Sequence, residues 1–558
     1  MKKIRRIMSA VAIAACLTTL TTSCMQRNST MSSASETSMS HIINTPSGQI
    51  EGLASGSLNI FKGIAYAQPP TGNNRWKPPV PVTNWFGVKL AKEFGPACTQ
   101  PTTKIENIYS NNINPTSEDC LSLNIWMPKN AKNAPVFVWI HGGSLIKGSS
   151  KERMYDGAKL AEQGMIVVSI NYRLGIFGFL AHPELSAESE HNISGNYALM
   201  DQIEALRWIN KNISSFGGAP DNVTIAGESA GGLSVMYLMA SPQARGLFAK
   251  AIMQSAYMIS VPALREATFG QYPAEAIGQF IATKVGAANL EQLRQIDGQT
   301  LAETASVNGY FPLPTVDGFV VPSQLVEVFE QGEQAPVPII AGFNSGEIRS
   351  LTMLAPKAPL SSDEYTNTIR ERYLDLSDDF LALYPATDLQ ETIYATTRDA
   401  LYGWTSERLA RMQTTLGKSA YLYLYDHPYR ATNKTNLHAF HASELPYVFG
   451  NFDRTPKLWP KNPDTPEEHA FSAAMIQYWS SFTHTGKPKA DGQPDWSAYG
   501  NERAYMAFEV QPTPSTHLFP GMYELHEESV CRRRASNTEP WHWNTGLMSP
   551  VLTDAECK

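Results

Sequence analysis

Apolar residues fall along this chain in two spacings. Short unbroken runs at 136–140, 166–170, 223–226, 252–254, 339–341 and 421–425 have the length and composition of strands buried on both faces. Between and after them, 197–213 and 471–482 repeat apolar positions at helical spacing, the mark of helices with one buried face. Alternation of the two predicts an α/β protein, with a mostly parallel central sheet and helices on both of its faces. Residues 260–335 and 350–415 read as helical, proline-interrupted insertions into that alternation.

One junction carries chemistry. The run 223–226 leads into Gly227-Glu228-Ser229-Ala230-Gly231, and an apolar helical run (AGGLSVMYLMA) covers 230–240. G-x-S-x-G between a strand and a helix is the form of a nucleophile elbow, in which flanking glycines let the backbone take strained angles and push the serine Oγ out of the turn. A serine hydroxyl is a poor nucleophile at its own pKa, so it needs a base, an acid to orient the base, and donors for the developing oxyanion. The run 136–140 enters His141-Gly142-Gly143-Ser144, a glycine loop whose N–H groups suit that task together with the N–H of Ala230. Among twelve histidines, His441 stands out, in a loop after 421–425 and late in the chain, as the order serine, acid, histidine requires. His438 is its local rival. Glu347, just past 339–341, is placed to be the acid. Asp317 competes with it, but the Asp317-Gly318 pair reads as a turn.

Longer motifs surround these residues. Segments 61–70 (FKGIAYAQPP), 118–126 (EDCLSLNIW), 171–175 (NYRLG) and 216–223 (FGGAPDNV), with the loops holding Glu347 and His441, resemble the signatures of the type B carboxylesterases, the family of the cholinesterases. The resemblance covers about 44–499 and implies the α/β-hydrolase fold. It also implies Ser229 as nucleophile, His441 as general base and acid, Glu347 as orienting carboxylate, and the N–H groups of Gly143, Ser144 and Ala230 as oxyanion donors. Two positions depart from it: Ser144 stands where the family usually has glycine or alanine, and Ile348 where it has glycine after the acid. Choline-binding members carry a tryptophan in the loop closed by the first disulfide. Residues 99–119 hold none, only Tyr109, so the best cation–π partner for a quaternary ammonium is missing and cholinesterase activity is not expected.

Composition narrows the partners. With 42% hydrophobic residues the chain can bury a large core, and its net charge of −7 gives no basic surface for nucleic acid. No metal or cofactor motif is present, so a small-molecule ester is the expected partner and no cofactor is needed. Lys2, Lys3, Arg5 and Arg6 precede a short apolar stretch at 7–20, the pattern of a signal peptide in an exported protein, periplasmic or anchored to the outer membrane. Thr21-Thr22-Ser23-Cys24 resembles an imperfect lipobox and makes Cys24 the lipidation candidate; Cys16 fits the pattern better but leaves a very short apolar region. Secretion after ordinary signal cleavage is the alternative. The expected division is a leader (1–24), a Ser/Thr-rich flexible tether (25–40), a catalytic domain (41–530) and a C-terminal extension (531–558). Setting aside Cys16 and Cys24, four cysteines allow three pairings. The family's first disulfide corresponds to Cys98 with Cys120, which leaves Cys531 with Cys557. Arg532-Arg533-Arg534 and Trp541-His542-Trp543 match no function and read as a surface extension held by that second disulfide.

The expected activity is serine-dependent hydrolysis of carboxylic esters through an acyl-enzyme. A lipase acting on longer-chain esters is the runner-up. Inactive, adhesion-type members of the fold usually lack a triad residue, whereas Ser229, Glu347 and His441 are all present.

Overall fold

The computed structural model describes residues 40–103, 105–554 and 557. The expected leader, with Cys16 and Cys24, and the tether up to residue 39 lie outside the described residues. Ser40, expected to end the tether, instead opens the first strand.

Twelve strands in chain order build the main sheet: β1 (Ser40–Thr45), β2 (Gly48–Ser55), β3 (Leu58–Ala65), β4 (Ser122–Pro128), β5 (Ala134–Ile140), β6 (Ile166–Ile170), β7 (Gly218–Glu228), β8 (Lys250–Gln254), β9 (Ile339–Asn344), β10 (Ala420–Tyr425), β11 (Ala504–Phe508) and β12 (Pro512–Thr516). They lie side by side as β1-β2-β3-β4-β6-β5-β7-β8-β9-β10-β11-β12, with the short strand Val88–Leu90 alongside β2. From β6 to β11 every pairing is parallel, and both margins are antiparallel. The six predicted runs are the cores of β5 to β10. Among the marginal strands that escaped prediction, β2 alternates buried and part-exposed positions and presents no apolar run, whereas β4 is buried nearly throughout but carries polar Ser122 and Asn124 among its apolar residues.

The central strands carry apolar runs because each serves two cores. Val136, Val138 and Ile140 of β5 enter the larger cluster, while Phe137 and Trp139 enter the aromatic cluster on the opposite face. β6 divides the same way, with Ile166, Val168 and Ile170 against Val167. Period-2 alternation between two buried faces thus yields a continuous apolar stretch. Helices α1 (Tyr197–Asn212) and α2 (Ala230–Ala240) cover the first face, and α3 (Pro466–Thr485) the second.

The insertions are helical as expected, through Ala274–Lys284, Gly298–Val307, Ser362–Tyr373, Leu389–Arg398 and Trp404–Thr415. Cys98 pairs with Cys120, and Cys531 with Cys557. The expected boundary at 530/531 falls inside α4 (Met522–Ser536). Nor is the tail a surface appendage: Trp541 and Arg533 are buried, and Ser260 N–H donates to Trp541 O at 2.9 Å, so the tail is part of the domain's wall.

Candidate active site

β7 ends at Glu228 and α2 begins at Ala230, so Ser229 alone makes the turn. Its backbone sits at φ 56°, ψ −123°, angles a residue with a Cβ takes only when its surroundings impose them. Close backbone contact imposes them here. A Cβ on Gly231 would lie 2.1 Å from Ile140 O, and one on Gly227 would lie 2.4 Å from the Gly231 carbonyl carbon. Ser229 N–H donates to Gln254 O at 2.9 Å, which ties the turn to β8. The Ser229 side chain remains slightly exposed, and its hydroxyl makes no hydrogen bond among the described residues.

The loop after β5 reaches the same point. A Cβ on Gly142 would stand 3.2 Å from Ser229 Cβ. Gly143 has φ 107°, and its carbonyl accepts the Ile146 and Lys147 N–H groups at 3.1 Å, folding the loop into a tight turn. Ala230 opens α2, so its N–H has no acceptor within the helix. Among the described residues nothing accepts the N–H of Gly143 or Ser144 either. His141 anchors the loop: burial lowers its pKa to about 4, its Nδ1 pairs with Gly142 O, and its ring stacks on Tyr172. Ser144 has φ 58° and is exposed, and among the described residues its hydroxyl makes no bond to brace the loop. The left-handed backbone explains why glycine suits this position. Ile348 is different: its φ is not positive, and it sits in a short 3₁₀ turn (Glu347–Arg349) with its side chain in the core, so glycine is not required there.

Glu347, fully buried, pairs through Oε2 with His441 Nδ1, while its Oε1 accepts Asn344 N–H at 2.8 Å. The two loops are zipped together. Gly346 N–H donates to Ala439 O at 2.8 Å, and Asn344 Nδ2 donates to Phe440 O at 2.8 Å and to Glu444 Oε2 at 2.6 Å. His441 Nε2 points toward the elbow, 3.0 Å from Oε1 of Glu228, the residue before Ser229. That oxygen is out of line for a hydrogen bond and is buried without another partner. No hydrogen bond joins Ser229 Oγ to His441 among the described residues. Such contacts commonly tighten only when substrate binds.

Glu228 and Glu444 are site residues that the sequence reading passed over, although each flanks a motif it used. Burial lifts Glu228 to about 8 and Glu444 to about 7. Burial by itself pushes His441 down, but the Glu228 and Glu347 carboxylates outweigh it and hold the imidazole at about 9. A neutral imidazole is the form that accepts a proton. With His441 as the base, the acid limb of kcat/KM is expected above the range near 6 to 7 of an imidazole in an ordinary setting. Glu228→Gln removes one of the carboxylates holding the proton on His441, and is expected to move that limb down by about one pH unit. An acid limb in the same place would show that Glu228 does not act on His441.

Aromatic rings complete the surroundings. Tyr109 in the disulfide loop donates to His441 O at 3.0 Å and pairs with Ser350 Oγ at 2.7 Å, so the ring in the tryptophan-free loop steadies the histidine loop. Tyr402, brought in by a π-helical turn at Asp399–Gly403, lies 5.5 Å from the His441 ring. The two rivals fall elsewhere. His438 is at the rim, 3.0 Å from Asn436 Oδ1. Asp317 Oδ1 caps its own turn, accepting the N–H groups of Phe319, Val320 and Val321.

Known proteins share this arrangement of chain. Residues 39–526 match the carboxylesterase family, beyond the 44–499 legible from motifs. The para-nitrobenzyl esterase of Bacillus subtilis (strain 168) is 36% identical over 475 residues, covering 83% of this chain and 94% of its own. The fumonisin B1 esterase of Sphingopyxis macrogoltabida is 32% identical, covering 84% and 86%. Among solved structures, a carboxylesterase of Geobacillus stearothermophilus superposes with TM-score 0.74 at 32% identity, over 87% of this chain and 99% of that one.

Proposed function

Because the chain belongs to the carboxylesterase family, we propose that it hydrolyses small carboxylic esters through an acyl-enzyme on Ser229, with His441 as general base and acid and Glu347 as its orienting carboxylate. The observation that carries this reading is the buried Glu347–His441 pair, set beside an elbow whose one turn residue is Ser229. His441 Nε2 takes the Ser229 proton as Oγ attacks the ester carbonyl, and the negative charge forms on the carbonyl oxygen. The N–H groups of Gly143, Ser144 and Ala230 receive that charge, and His441 returns the proton to the departing alcohol oxygen. Water then repeats the sequence on the acyl-enzyme. Glu347 holds the His441 proton on Nδ1 throughout.

A panel of esters differing in acyl chain length and polarity tests the reading on wild-type protein. Hydrolysis of short soluble esters, falling with chain length, is the expected result; a preference for long-chain esters would make the protein a lipase, and no hydrolysis would remove the proposal. In the same panel Ser144→Ala is expected to keep the simple aliphatic esters. Its kcat/KM for hydroxylated or carboxylated acyl groups should fall about fivefold, the worth of one hydrogen bond of about 1 kcal/mol. The unbonded Ser144 hydroxyl supports contact with substrate rather than loop bracing. Equal losses on both ester types would refute it.

Export with a lipid on Cys24 is part of the proposal, and the two disulfides support an oxidising compartment. Full-length protein made in a bacterium should sediment with membranes, and Cys24→Ser should release it. Wild-type protein found wholly in the soluble fraction favours ordinary secretion.

A further inference from the structure

The triple arginine and the Trp-His-Trp motif, unassigned from sequence, converge on one cavity. Arg532 pairs with Asp375 and Glu528, and Arg534 with Glu330, both at the surface. Arg533 between them turns inward and is 6% exposed. Its terminal nitrogens donate only to neutral acceptors: Pro540 O, Asn544 Oδ1, Asn544 O and Ser549 Oγ. Among the described residues no carboxylate pairs with it; Glu539 attracts it only from a distance. A buried guanidinium without a counter-ion is unfavourable, because burial removes the water that would screen it.

Arg533 lines a small cavity with Trp541, His526, His542 and Leu401, with room for about one water-sized particle. Two donors on lining residues, Arg533 Nε and Trp541 Nε1, are buried and have no acceptor among the described residues. The imidazoles add no charge: burial and the neighbouring Arg533 lower His526 to about 3 and His542 to about 4. The walls thus combine one uncompensated positive charge, two idle N–H groups and room for a single small particle. The charge calls for a negative occupant, the N–H groups for one that accepts hydrogen bonds, and the space for a small one.

We propose that this cavity binds one monovalent anion of halide size, chloride, between Arg533 Nε–H and Trp541 Nε1–H. The anion neutralises Arg533 and joins α4 to the tail that closes the domain wall. Gluconate, a much larger anion, serves as the comparison ion. The lining includes none of Ser229, Glu347 and His441, and the proposal does not depend on the hydrolytic assignment.

Two measurements on the full-length protein test it. The first is the thermal unfolding midpoint in sodium chloride or bromide against sodium gluconate at equal ionic strength. Ligand that binds only the folded state raises the midpoint with concentration, and an increase of about 2 °C or more is expected for the halides over gluconate in wild type. Arg533→Met should abolish that difference. The second, which needs no variant to fold, is anomalous scattering from crystals soaked in bromide. A peak within hydrogen-bonding distance of Arg533 Nε and Trp541 Nε1 supports the site. Equal midpoints in halide and gluconate, or a cavity without an anomalous peak, would overturn it and leave the space to water.

Discussion

Ser229→Ala is expected to lower kcat for ester hydrolysis by at least about 10³-fold while the protein stays folded. Both halves follow from the turn. The hydroxyl makes no hydrogen bond among the described residues, so its removal leaves no buried partner unsatisfied. The left-handed backbone at φ 56° is imposed by the Gly231–Ile140 contact and is as hard for serine as for alanine. Far-ultraviolet circular dichroism and the unfolding midpoint should therefore match wild type while turnover disappears. Activity within about tenfold of wild type would show that another group attacks the ester.

His441→Ala is expected to be nearly inactive, and His438→Ala nearly normal. His441 is the histidine whose ring joins the buried Glu347 to the elbow, whereas His438 faces Asn436 at the rim. Losing His441 removes the proton acceptor and leaves the Glu228 and Glu347 carboxylates facing each other across a void. A modest loss of stability should accompany the loss of rate. The split between the two variants is the informative readout in steady-state kinetics. The opposite pattern would place the base three residues earlier and break the match of the histidine loop.

The elements legible in the sequence were those whose signal is local. A run of three to five largely apolar residues suffices to mark a strand buried on both faces, and β5 to β10 were found in this way. G-x-S-x-G, the glycine loop and the loops of Glu347 and His441 each carry their chemistry within a few residues. What escaped depends on convergence across the fold. Tyr109 and Tyr402 reach His441 from residues far away in the chain, and nothing beside either of them signals that destination. Glu228 sits inside the elbow motif, yet its charge interaction with His441 exists only once β7 and the histidine loop meet; Glu444 shares that loop, but its buried position is set by Asn344 and Gln254 from β9 and β8. Arg533 was misplaced for a general reason: three consecutive arginines are expected at a surface, and only the packing of the tail over α4 shows that the middle one is enclosed.

The central claim is that one serine, at the elbow, carries the acyl group. Mass spectrometry of the protein after inactivation by a fluorophosphonate tests it most directly, because the reagent loses fluoride only to an activated hydroxyl and stays bound. The account predicts one phosphonyl group per chain, on the peptide containing Ser229, with activity lost in proportion to labelling. Label on any other residue, or activity that survives complete labelling of Ser229, would contradict it.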